Sequence, residues 1–169
     1  MAVDHESSGR DLSFQRPYGV LAPATHRSLR GIEIMEGVRE GRFPQSPIAK
    51  LLNYEVVAVA EGTVTLEARP SELHLNFLGI VHGGFAATIL DACMGCAIHT
   101  TLPAGRSYTT MELKISYLRP ITAVGGVVTA VGTVLRTGQS AGFADGRLVD
   151  SSGRLLAHGT TTCLVRAAA

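Results

Sequence analysis

The residues with chemistry to offer cluster in one stretch: Asn76-Phe-Leu-Gly79-Ile-Val-His82-Gly83-Gly84, followed by Asp91. His82-Gly83-Gly84 opens an apolar run, Gly83–Leu102, whose length and composition predict a helix buried in a core. The first N–H groups of a helix have no partner inside it, and that end carries partial positive charge. Glycine there lets a ligand approach the backbone, so Gly83 and Gly84 could stabilise oxyanion charge on a carbonyl under attack. The same glycines would also serve close packing of helix on sheet. Asp91 is the one carboxylate in the run, eight residues beyond Gly83. A buried carboxylate needs a partner or a task. The structural alternative is a bond to a hydroxyl or backbone group, with Thr88 and Thr110 as candidates. Eight residues of helix span about 12 Å. Gly83 and Asp91 of one helix therefore cannot meet at one reacting carbonyl, and acting together they require two subunits related by a two-fold axis.

The elements that must position these groups can be read on either side. Ser28–Arg42 carries Leu29, Ile32, Met35 and Val38 at helical spacing, diluted by Gly31 and Gly37, and Ser46-Pro47 signals a short helix over 48–52. From Tyr54 the period changes to two. Tyr54–Ala60 and Thr63–Arg69 flank Glu61-Gly62 as a hairpin, and 70–82 is a loop. Four strands are expected in the second half: 111–117, 124–136, 141–149 and 154–165, with turns at 137–140 and 150–153. Asp145-Gly146 is a bulge candidate. The pattern gives an α+β fold, one long helix wrapped by a curved antiparallel sheet of about six strands. Residues 1–45 read as an N-terminal extension and 46–166 as the domain.

Composition excludes several classes. The chain has 169 residues, enough for one domain with a sizeable core. Fifteen basic and 14 acidic side chains leave a net charge of +1, which offers no bulk attraction to nucleic acid or anionic lipid. The N-terminal residues lack an apolar signal region, and Asp91 in mid-run argues against a membrane span. Three cysteines do not make a disulfide framework, which points to a reducing, cytoplasmic setting. Cys93, Cys96 and His99 share a helix face but lack the fourth ligand a zinc site requires, so no metal is expected. His5, His26, His74 and His158 have no partner evident in the sequence.

Asn76-x-x-Gly79-x-x-His82-Gly83-Gly84, Asp91, the strand Glu112-Leu-Lys-Ile-Ser-Tyr-Leu-Arg-Pro120 and the hairpin Asp150–His158 together resemble the PaaI-like acyl-CoA thioesterases of the hotdog fold superfamily, over about Pro47–Arg166. The resemblance implies hydrolysis of acyl-CoA to free acid and CoA, with a homodimer as minimal unit, often a dimer of dimers, and no cofactor. Residue by residue, it makes Asp91 the nucleophile or the general base, Gly83 the donor to the thioester carbonyl, and Asn76 an orienting group. His82 would position the loop, and Thr110 would help hold water. Gly84, Arg119, Arg136 and Gly138 fall where the substrate or its nucleotide is contacted. Gly95 departs from relatives that carry a hydroxyl one turn after the carboxylate. Two rival readings share the fold: a non-catalytic acyl-CoA-binding sensor or assembly module, and an acyl-CoA hydratase, which would need an Asp–His pair not found at His82.

Overall fold

The computed structural model describes residues 16–123 and 126–168. Residues 1–15 of the expected extension, with the N-terminal signal reading and His5, lie outside the described residues, as do Val124 and Gly125. The remainder forms helices α1 (Pro23–Ser28), α2 (Gly31–Glu40), α3 (Pro47–Leu51) and α4 (Gly83–Thr100). It also forms strands β1 (Tyr54–Ala60), β2 (Thr63–Ala68), β3 (Arg106–Tyr117), β4 (Val128–Thr137), β5 (Ala141–Val149) and β6 (Leu155–Ala167). The six strands make one antiparallel sheet in the order β1-β2-β4-β5-β6-β3. That is the α+β arrangement expected, with α4 lying across the sheet.

α4 is apolar on nearly every side because it is enclosed on nearly every side. Phe85, Ile89, Leu90, Cys93, Met94, Ala97 and Ile98 are all buried, against the inward residues Val64, Leu66 and Ala68 of β2 and their counterparts on neighbouring strands. The approach is unusually close at one rung. Gly132 of β4 pairs with Gly146 of β5, which pairs with Gly159 of β6. A Cβ on Gly132 would stand 2.5 Å from the Cys93 carbonyl oxygen, and one on Gly146 would stand 2.8 Å from Met94 Cγ. Gly132 and Gly146 therefore form a trough for the middle of the helix, while Gly159 beside them leaves room for the Ile115 side chain, 2.6 Å from where its Cβ would stand.

Several sequence expectations shift. β3 begins five residues earlier than alternation suggested, and its bulge falls at Met111. β4 begins at Val128 rather than 124. Asp145-Gly146 is regular strand; the irregularities on β5 and its neighbour lie at Leu135 and at Leu148/Val149. The loop 70–82 contains a 3₁₀ turn, Glu72–His74. α1 carried no periodic signal in the sequence because none of its residues is buried. α2 buries Ile34, Met35 and Val38 against β1 and α4, and closes on Gly41 at φ 81°. Ser46 caps α3 through its backbone only; its hydroxyl lies 3.2 Å from the Tyr54 hydroxyl instead.

His99, in the last turn of α4, is buried and has the Tyr108 and His26 rings beside it. Burial first, then the charge of His26, pushes its imidazole from 6.5 down to about 4. Between those values the unfolded chain binds a proton that the folded chain refuses, so this contribution is complete above pH 6.5 and is lost as pH falls toward 4. Denaturant titrations should show unfolding free energy declining over that window by up to about 3 kcal/mol, and His99→Leu should flatten the profile. Gly132→Ala should destabilise by roughly 1–3 kcal/mol through overpacking, whereas Thr133→Ala next to it, on the outward face, should melt within a degree or two of wild type.

Candidate active site

The loop before α4 is held by its own side chains. Asn76 Oδ1 accepts from the Leu78 N–H (2.9 Å) and Ile80 N–H (3.4 Å), while the Asn76 N–H donates to the Ile80 carbonyl (2.8 Å). The His82 N–H donates to the His74 carbonyl (2.8 Å). His74 is not partnerless: Nδ1 accepts from the Ser71 N–H (2.9 Å), and Nε2 lies 3.0 Å from the Leu51 carbonyl. The first network assigns the proton to Nε2, which then donates.

His82 is the N-cap of α4. Its Nδ1 accepts from the Gly84 N–H at 2.9 Å, and its carbonyl accepts from the Phe85 N–H at 2.9 Å. The Gly83 N–H between them has no acceptor among the described residues. One donor is thus left aimed outward at the positive end of an 18-residue helix. It borders a cavity of about 350 Å³ that Asn76, His82, Tyr117 and Arg119 also line. The Tyr117 ring packs over Gly83, 3.3 Å from where a Cβ would sit. Alternation in β3 exposed Tyr117 to view in the sequence, but not its contact with a residue 34 positions earlier.

Asp91 lies in the third turn of α4, half-buried. Thr110 Oγ1 donates to Asp91 Oδ1 at 2.9 Å. Thr88, the other hydroxyl in reach by sequence, donates to the Gly84 carbonyl instead. Asp91 Oδ2 makes no hydrogen bond among the described residues, so one oxygen is anchored and the other is available. Two residues before Thr110, the Tyr108 ring presses on Gly95: a Cβ there would lie 2.5 Å from Tyr108 Cε2. Gly95 is therefore the clearance for an aromatic ring, the physical reason no hydroxyl residue stands one turn after the carboxylate. Burial, and next the neighbouring Cys96, hold the Tyr108 phenol well above its usual range; Asp91 adds to the effect.

One chain does not bring all the candidates together. Asn76, His82, Gly83 and Arg119 share the first cavity; Asp91 and Thr110 are about 12 Å further along the helix. Gly138 lines a different, open cavity beyond the far end of α4, with Thr101 and Arg106, while Arg136 is exposed outside its wall. Arg119 Nη1 donates to the Leu155 carbonyl at 2.6 Å, which leaves the rest of its guanidinium facing solvent. Gly84 is exposed at the helix start, with its N–H taken by His82. Cys93 and Cys96 are packed thiols: burial drives Cys93 far up and Cys96 to about 11. No described helix is long and apolar enough to cross a membrane.

Comparison with known proteins bears on the family and the fold. The model of the thioesterase superfamily matches residues 78–157, which contain the helix start, Asp91, Thr110, Gly132 and Gly146. The chain is 28% identical to human acyl-coenzyme A thioesterase 13 over 137 residues, 80% of this chain and 93% of that protein. It is 31% identical to a protein of Saccharolobus solfataricus provisionally named an esterase, over 64% of this chain and 75% of that one. The crystal structure of a phenylacetic acid degradation-related protein from Ralstonia eutropha superimposes with a TM-score of 0.70 at 28% identity, covering 77% of this chain and 98% of that chain. The matched segment, the shared α-on-β architecture and these relatives place the chain in the thioesterase superfamily, as a PaaI-like thioester hydrolase of the hotdog fold.

Proposed function

We propose that the protein hydrolyses acyl-CoA thioesters at sites shared by two copies of the chain. The observation that carries this reading is the uncommitted Gly83 N–H facing a cavity, matched by a carboxylate with one anchored and one available oxygen. The thioester carbonyl takes its hydrogen bond from Gly83 of one copy. Asp91 of the other copy attacks, or draws a proton from water that attacks. A well-aimed backbone donor of this kind is worth roughly 3 kcal/mol of transition-state stabilisation, and a positioned base about 10²–10⁴-fold in rate.

The edge of the sheet supports the pairing. β3 is a terminal strand of 12 residues with an unpaired side, and Met111 on it is 67% exposed. Long free edges recruit another strand. Gly83 touches the Tyr117 end of β3, and Asp91 touches Thr110. A two-fold axis between Leu113 and Lys114 would lay each Tyr117 beside the other copy's Thr110. That register carries the donor of one copy to the carboxylate of the other, which the intrachain separation forbids. Arg119, at the rim of the Gly83 cavity, suits a CoA phosphate. Arg136 and Gly138 could serve the same nucleotide only from the other end of a neighbouring copy.

Asp91→Asn should lower turnover of octanoyl-CoA, followed by thiol release, at least a hundredfold while the elution volume and circular dichroism stay those of wild type. Near-normal turnover would remove Asp91 from the reaction. Gly83→Pro deletes the donor at a helix position that accepts proline, after an extended His82 (ψ 137°), and should cost about 10²–10³ in kcat. Mixing and refolding these two inactive variants should restore about a quarter of wild-type activity, because half of random dimers are hybrids and each hybrid holds one intact site. No recovery in the mixture would rule out sites shared between copies.

A further inference from the structure

A further cavity, about 260 Å³, lies beside α4 where residues 19–47 fold against it. Its wall is largely apolar, with Val20, Leu21, Ile34, Met35 and Val56 among the lining side chains, and neither lysine nor arginine contributes. Five polar side chains interrupt it, among them His26, whose ring stacks on that of His99. Ser46 and Tyr54 direct their hydroxyls at each other, 3.2 Å apart. Gln45 and His99 find no such match. Gln45 is 2% exposed, its backbone is bonded to Pro17 and Gly19, and its side-chain Nε2 has no hydrogen-bond partner among the described residues. His99 is 8% exposed and meets the His26 and Tyr108 rings, with no hydrogen bond to its ring nitrogens among the described residues. Buried polar groups are nearly always paired, so two unpaired ones bordering the same space point to a ligand that pairs them.

The space borders the same helix as Asp91, beyond its third turn. Cys96 and His99 line it, and they follow Asp91 on α4 by roughly 8 and 12 Å. Cys96 Sγ is 3.9 Å from the hydroxyl of Tyr108, which neighbours Thr110 on the inner face of β3. A volume at the small end of ligand pockets suits an acyl tail and is far too small for CoA itself. His99 stays neutral at ordinary pH because of its burial, and neither lysine nor arginine lines the wall to balance a carboxylate.

We propose that this cavity holds the distal end of the acyl group, and that Gln45 and His99 recognise an uncharged hydroxyl there, which can accept from one and donate to the other. The inference builds on the thioesterase reading and names its substrate class: a medium-length, mainly apolar acyl group with a neutral polar tip. The segment 19–47 is then a specificity element, with Gln45 as its reading head.

Titration calorimetry on the Asp91→Asn protein, which should leave the esters intact, tests this with octanoyl-CoA, ω-hydroxyoctanoyl-CoA and ω-carboxyoctanoyl-CoA. The hydroxylated ester should bind about fivefold to tenfold more tightly than octanoyl-CoA, the gain of one buried hydrogen bond, and the carboxylated ester more weakly than either. Adding Gln45→Met should erase the preference while leaving octanoyl-CoA binding and the melting temperature equal to or above those of the parent, since an unpaired amide is removed. Equal Kd values for the hydroxylated and plain esters, no binding by either, or a preference that survives Gln45→Met overturns the proposal. Failure of the wild-type protein to hydrolyse any CoA ester would overturn the thioesterase reading instead, and the binding comparison would still decide the cavity's role.

Discussion

The close seating of α4 on the sheet is the constraint from which the rest follows. Gly132, Gly146 and Gly159 stand in register on three neighbouring strands; the backbone at Cys93 and Met94 rests where a side chain on Gly132 would be, and the Met94 side chain where one on Gly146 would be. With the helix this low, Asp91 reaches a hydroxyl of β3, and Gly83 comes under a tyrosine of the same strand. Methyl groups at the rung would lift the helix by the better part of a contact distance. Hydrogen bonds such as that between Thr110 and Asp91 lose most of their strength over such a displacement.

Helix ends explain how the donor is prepared. Four N–H groups at the start of any helix lack intrahelical partners. Here His82 answers two of them, Gly84 through its ring and Phe85 through its carbonyl, and leaves the one at Gly83. The imidazole is thereby committed as an acceptor inside the cap, which suits a positioning role better than proton transfer. Asn76 is committed in the same way to its own loop. The two side chains hold the loop still, and in the proposed reaction the backbone donor beside them needs no reorganisation as charge develops on the substrate.

The division of labour along α4 is also physical. Its start presents a donor, its third turn a carboxylate, and its last turn a neutral imidazole beside an apolar space. A rigid helix separates these by fixed multiples of its rise. The spacing makes self-sufficiency of one chain impossible for the first two groups. The second and third are joined by four-residue steps, because residues 91, 95 and 99 follow one another on the same side. Gly95 keeps that side open to Tyr108, so the aromatic ring occupies what would otherwise be a side-chain position.

Local regularities made much of this legible in the sequence. An 18-residue apolar stretch with a glycine pair at its head and one aspartate inside reads as an enclosed helix carrying a costly carboxylate, whether the glycines serve a ligand or close packing. The hairpin at Glu61-Gly62 and the alternation of Val64, Leu66 and Ala68 were equally plain, because their period is local. Thr110 rather than Thr88 as the partner of Asp91, the aligned glycines, the clearance at Gly95 and the walls around Gln45 were decided only by tertiary structure. Each depends on strand register or on packing between segments tens of residues apart, and a one-residue slip would turn the same side chains to the opposite face. The sequence by itself singled out the groups with chemistry to offer and set Gly83 and Asp91 too far apart on one helix to meet; the fold decided which neighbours hold them, since no local rule encodes contacts between distant parts of the chain.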